Sequence, residues 1–179
     1  MSDAGLRVDV DINGLTSKLQ RIGVALQPPG LLKAIGLRQL KWVDDNFVKS
    51  GALIGGWPAL SPLTIMFRRG GSSKPLMNTG DLRASFNPGS PGALKVGTME
   101  VTIGTPSPHA RIHNEGGTIK PINGKFLVFG SDDNPIFAKS VKIPKRQMLP
   151  SVDIARDLAI AIIRARAKIE LEKQNDNGV

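Results

Sequence analysis

The stretch Ser151-Val152-Asp153-Ile154-Ala155-Arg156-Asp157-Leu158-Ala159-Ile160-Ala161-Ile162-Ile163-Arg164-Ala165-Arg166-Ala167-Lys168-Ile169-Glu170-Leu171-Glu172-Lys173 reads as a helix. Ile154, Leu158, Ala161, Ile162, Ala165 and Ile169 keep one apolar stripe at helical spacing, while Arg156, Arg164, Arg166 and Lys168 fall mostly off it. Ser151 stands where a cap accepts the first free amide, and Asp153 lies in the first turn, where the helix dipole favours an acid. Some 23 residues at 1.5 Å each span about 34 Å. That is long for a chain of 179 residues, so part of the helix is expected to pack on a neighbouring chain.

Working back from this helix, the period changes. Pro144 ends a stretch in which Val141 and Ile143 alternate with Lys142, as in a strand with one wet face. Residues 118–128 and 136–143 are expected to form a hairpin around Gly130-Ser131-Asp132-Asp133-Asn134-Pro135. Leu94–Val96 and Val101–Ile103 form another around Gly97-Thr98-Met99-Glu100. Residues 51–92 are dense in Gly, Pro and Ser and too long for an idle connection, which predicts an inserted arm or loop reaching a neighbour. Within it, Ser61 can cap a short helix with Pro62 at its first position, ending near Arg68-Arg69, whose charges complement a helix C-terminus. Thr79 is expected to cap a second short helix carrying Asp81.

The N-terminal part completes the pattern. Val8-Asp9-Val10-Asp11-Ile12 alternates as a strand and Asn13-Gly14 ends it. Leu15, Leu19, Ile22 and Leu26 follow helical spacing up to Pro28-Pro29-Gly30, and a further helix is predicted from Leu31 to about Ser50. Gly36 weakens that helix relative to alanine. The fold class is therefore α+β: a small antiparallel sheet packed with N-terminal helices and a long C-terminal helix, in one domain over 1–179, with 51–92 as the arm and 174–179 as a frayed tail.

Composition narrows the function. The chain has no cysteine, which removes disulfides, thiolate metal sites and cysteine nucleophiles. It has only six Phe, two Trp and no Tyr, so the core must be largely aliphatic. No run approaches the roughly 20 apolar residues that span a bilayer, and the N-terminus shows no basic region followed by an apolar run, so neither a membrane nor a secretory signal is expected. The net charge of +9 is spread: residues 1–90 carry 11 basic and 6 acidic side chains, and 91–179 carry 13 and 9. The densest cluster, Lys139, Lys142, Lys145 and Arg146, leaves open a nucleic-acid-binding protein as the alternative function. No aromatic interleaving or reader motif accompanies it.

Catalytic constellations are weak. His109 and His113 are spaced to share a metal on a helix, but Pro106, Pro108 and Gly116-Gly117 argue against a long helix there. No Gly-x-Ser-x-Gly elbow occurs. Gly117 to Lys125 lacks phosphate-loop spacing, because six residues separate Gly117 from Gly124 and Phe126 replaces the needed hydroxyl residue. Asp44-Asp45 and Asp132-Asp133 are adjacent pairs, poorly placed for shared acid–base work. No enzyme, metal or cofactor is expected.

Landmarks in fixed order carry a resemblance. They are Trp57-Pro58-Ala59-Leu60-Ser61-Pro62-Leu63-Thr64, Leu76-Met77-Asn78-Thr79-Gly80-Asp81-Leu82-Arg83-Ala84-Ser85, Val101-Thr102-Ile103-Gly104-Thr105, His109-Ala110-Arg111-Ile112-His113-Asn114-Glu115-Gly116-Gly117, and Ile143-Pro144-Lys145-Arg146-Gln147-Met148-Leu149. From about residue 31 to 172 the series resembles the phage virion morphogenesis family, the tail-completion and head–tail joining proteins of Mu-like and P2-like tailed phages. The resemblance implies a non-enzymatic virion protein, made and assembled in the host cytoplasm, that forms a homo-oligomeric, six-fold ring at the neck or head-proximal tail end. Its implied partners are neighbouring neck, connector or tail-tube proteins, with non-specific DNA contact in the lumen as a further use of the basic residues. The candidate subunit or partner contacts are Trp57, Leu60, Arg68, Arg69, His113, Glu115 and Arg146. Trp57 is either an aromatic anchor for a neighbour or a cover for its own core. His113 and Glu115 are expected to fix the loop after Ile112 through hydrogen bonds. Arg146 is expected to pair with an acid of the same or a neighbouring subunit, or else to stand free on the surface.

Overall fold

A computed structural model describes residues 6–11, 28–68, 72–131 and 134–176. The expected helix over Leu15–Leu26, as well as Arg69, Asp132-Asp133 and residues 177–179, lies outside the described residues.

The alternation seen at the N-terminus forms strand β1 (Leu6–Asp11). The next described element is helix α1 (Pro28–Val48). It starts earlier than Leu31, because Pro28 and Pro29 sit in the first turn, where a missing N–H costs nothing. A single 3-10 turn at Ala52–Ile54 follows, then the short helices α2 (Pro62–Met66) and α3 (Asp81–Ala84). Strands β2 (Leu94–Val96) and β3 (Glu100–Thr105) form the first expected hairpin. After helix α4 (Ala110–Glu115) come β4 (Gly117–Ile119), β5 (Leu127–Ser131), β6 (Asn134–Ala138) and β7 (Val141–Ile143). Helix α5 (Val152–Asp176) closes the order. The fold is α+β, as the changing periodicity predicts.

Three antiparallel sheets result. The main one has the order β1-β3-β2, with Leu6 opposite Thr105 and Val10 opposite Val101. The second expected hairpin divides into two ladders: β4 pairs with β7, and β5 with β6 at its tip. The division falls at residues 120–126, where Pro121, Gly124 and their neighbours interrupt the ladder.

Helix α1 is the axis of the core. Leu40, Val43 and Phe47 meet Ile103 of β3, Trp57, Leu76, Phe86, Met148 and Leu149 in one apolar cluster. One turn nearer its start, Leu31, Leu32 and Ile35 meet Val101, Ala159 and Ile163 in a second. Gly36 joins the two. A Cβ there would overlap Leu94 Cδ1 and lie 2.7 Å from Val101 Cγ2. The glycine therefore permits the close approach of helix to sheet, at the expense of helix propensity.

Helix α5 corrects the expected stripe. Its buried residues are Ala155, Ala159 and Ile163, with Ile154, Leu158 and Ile162 half-buried beside them, whereas Ala161, Ala165 and Ile169 are exposed. Small alanines on the contact line let α5 lie close along α1 and β1, so the apolar count alone misplaces the stripe by one position. Ser151 does cap the helix, its Oγ accepting from Ile154 N at 3.4 Å. The helix continues through Asp176, beyond the start of the expected frayed tail.

The segment 51–92 is not a free arm. Trp57, Leu76 and Phe86 enter the main core, which ties it down at three points. Between the first two, Leu63, Met66 and Phe67 remain exposed.

Candidate functional site

The turn after α1 sets the position of Trp57. Gly51 adopts φ +83°, and its missing Cβ leaves room for the indole, whose Cγ would stand 2.5 Å from a Cβ. The indole meets Phe47 edge to face, with centroids 5.3 Å apart and planes at 85°. Its Nε1 donates to Gln147 O at 2.9 Å. Trp57 is 8% exposed. Of the two readings offered for it, the cover of its own core is the one seen in the single chain.

The segment Arg146–Leu149 runs through the core in extended form and is gripped from three sides. Asn46 Nδ2 donates to Gln147 O at 3.1 Å, Met148 N donates to Asn114 Oδ1 at 2.8 Å, and Arg146 N donates to His113 O at 2.7 Å. Gly116, at φ +75°, crosses so close beneath Lys145 that a Cβ would lie 2.8 Å from its backbone nitrogen. The loop after Ile112 is thus fixed by the His113 carbonyl and the Asn114 amide. The His113 and Glu115 side chains do not fix it, contrary to expectation. Glu115 instead accepts from Arg111 Nε at 3.2 Å on the exposed side of α4.

Arg146 is 5% exposed. Its Nε donates to Pro58 O at 2.9 Å and its Nη2 to Ala59 O at 3.1 Å, which clamps the start of the 51–92 segment to the core. Among the described residues no carboxylate pairs with it, so neither expected role, surface residue or intramolecular ion pair, holds there. Arg68 also departs from its expected role at the α2 terminus. It donates to the carbonyls of Ser72 (3.2 Å) and Lys74.

A cleft of about 650 Å³ opens beside these groups. Leu60, Arg68, His113 and Arg146, four of the seven residues singled out from the sequence, line it together. Trp57 and Glu115 are not among its lining residues, and Arg69 is outside the described residues. His109 and Lys142 join the lining. The sequence signal for His109 was its spacing from His113, here realised through the start of α4, whose cap is His109 itself. Capping also differs around α3: Gly80 at φ +90°, not Thr79, stands at the cap. Thr79 Oγ1 still accepts from Asp81 N at 3.4 Å, as a capping hydroxyl does, and donates to Asp81 Oδ2 at 2.7 Å.

The electrostatics of the cleft are one-sided. Arg68, Lys142 and Arg146 line it, and among the described residues Asp81 is the only carboxylate in the lining. Burial, then the charges of Arg146, His109 and Arg68, hold the His113 imidazole below its ordinary 6.5. Burial lowers Arg68, and burial followed by the Arg68 charge lowers Arg146. His113 Nδ1 is shielded from solvent with no hydrogen-bond partner among the described residues. Like charges thus gather in a half-dry space with Asp81 as the one acid described beside them. Among the described residues no three His, Asp or Glu side chains cluster as metal ligands.

A second surface is apolar. Strands β5 and β6 form a two-stranded sheet of their own. Val128 and Phe137 face each other across the ladder, 61% exposed each, and Phe126 meets Phe137 edge to face at 6.3 Å. On the opposite side of the pleat, Phe129 faces Ile136 and is also exposed. No described helix is long and apolar enough to cross a membrane. Against known protein families, curated proteins and solved structures the chain shows no match.

Proposed function

We propose that this protein is a structural component of a tailed-bacteriophage virion, assembling into a closed homo-oligomeric ring, six-fold in the form its sequence resemblance implies, at the neck or head-proximal tail end. The observation that carries the proposal is the β5–β6 hairpin. A two-stranded hairpin is marginal alone in water, and this one exposes Phe126, Val128, Phe129 and Phe137. Phe126, Val128 and Phe137 share one face of the hairpin, and exposed side chains of that kind mark an interaction surface. The exposed Leu63, Met66 and Phe67 around α2 supply a second, unrelated apolar surface. Two different patches on one chain suit a heterologous contact, the kind that closes into a ring by rotation.

The ordered landmarks of the sequence support the placement in a virion. Electron microscopy of particles made without the protein tests it. Full heads separated from finished tails support joining, tails of aberrant length support a terminating role, and normal particles contradict the proposal.

A further inference from the structure

Arg146 carries a permanent charge in a 5% exposed position. Of its five N–H donors, two are spent on the Pro58 and Ala59 carbonyls. A buried charge is normally paired, because carbonyls alone leave it electrostatically uncompensated. Here Arg68, His109, His113 and Lys142 crowd the same cleft, and the only lining carboxylate among the described residues, Asp81, already accepts from Thr79. Beside Arg68, Lys142 and Arg146 the wall is aliphatic, made by Leu60, Leu76 and Ile143. Leu76 is held there at φ +60°, a left-handed conformation that leucine rarely adopts.

We propose that this cleft is a docking site for an acidic peptide segment of another protein chain. A Glu or Asp carboxylate is received by Arg146, Arg68 and Lys142, and an adjacent apolar side chain lies on Leu60, Leu76 and Ile143. Charge complementarity and the mixed wall select this occupant. A nucleic-acid strand would gain phosphate contacts, but among the described lining residues no Phe or Trp adds a stacking platform to the His109 and His113 imidazoles. That the segment belongs to a virion component rests on the assembly proposal. The carboxylate preference does not, so the two can fail separately.

The test is a calorimetric titration of the full chain with two synthetic peptides, acetyl-Leu-Glu-Leu-Glu-Leu-amide and its Gln counterpart, with a dT oligonucleotide as third probe. The acidic peptide is expected to bind at least about tenfold more tightly than the Gln form, and more weakly as salt rises. Lys142→Gln should weaken it at least about threefold, and Arg68→Gln with Lys142→Gln at least about tenfold, while Lys95→Gln on β2 leaves it unchanged. Lys142 is exposed, so its variant keeps the fold even if Arg68→Gln disturbs the contacts with the Ser72 and Lys74 carbonyls. Equal affinity for the two peptides, no binding of either, insensitivity to Lys142→Gln, or tighter binding of the oligonucleotide at the same residues would each overturn the proposal.

Discussion

Trp57 shows how one side chain organises its surroundings. It fills the space left by Gly51, meets Phe47, and hydrogen-bonds Gln147 O. Trp57→Ala should cost about 3–5 kcal/mol, read by denaturant unfolding. Trp57→Phe, which keeps most of the apolar volume and loses the N–H, should cost less. Gly36 gives the opposite lesson. Helix propensity favours alanine there by about 1 kcal/mol, yet the Cβ would strike Leu94 and Val101. Gly36→Ala should therefore destabilise, by about 1–3 kcal/mol; a stabilised variant would show that the sheet yields. His113 sets a pH dependence. Its folded pKa lies below 6.5 because of burial and the facing charges of Arg146, His109 and Arg68, with Lys142 and Asp81 also lining the cleft. Between that depressed value and 6.5 the unfolded chain binds more protons than the folded one. The contribution is whole above 6.5, falls as pH drops through this window, and levels off below the folded value. Thermal midpoints measured from pH 7.5 to 5 should fall less steeply in His113→Gln than in the parent chain, and identical slopes would remove His113 as the cause.

At the scale of elements, legibility depended on whether a pattern is local. The β2–β3 hairpin, the Ser61 cap with Pro62, and the long α5 are written in contiguous residues and appear as expected. Which residues of α5 are buried was not legible, because the choice of Ala155 and Ala159 over Ala161 and Ala165 is made by the closeness of α1. The same holds for the cleft. Leu60, Arg68, His113 and Arg146 could each be singled out, but their convergence depends on Asn46 and Asn114 gripping the Gln147–Leu149 backbone. Those are long-range contacts of ordinary polar residues and carry no local signal. The hairpin β5–β6 offers the clearest test at this scale. Phe137→Ser with Val128→Thr should leave the thermal midpoint nearly unchanged, since both side chains are largely exposed in the single chain. The pair should reduce self-association, measured by sedimentation velocity over a concentration series. An unchanged association would mean that the contact lies elsewhere.

At the scale of the whole molecule, the net charge of +9 now has a located part. Several cations surround a cleft with a single lining carboxylate, and the apolar groups are left open on the hairpin and around α2. A basic cleft and two apolar patches on one small α+β chain make sense for a protein whose partners complete it. The most direct measurement is the mass of the purified chain under native conditions across a concentration series, with class averages of the same sample by electron microscopy. The account predicts a discrete closed ring, lost when Phe137→Ser and Val128→Thr are combined. A chain that remains monomeric at every concentration, or an open distribution of aggregates without a closed species, would contradict it.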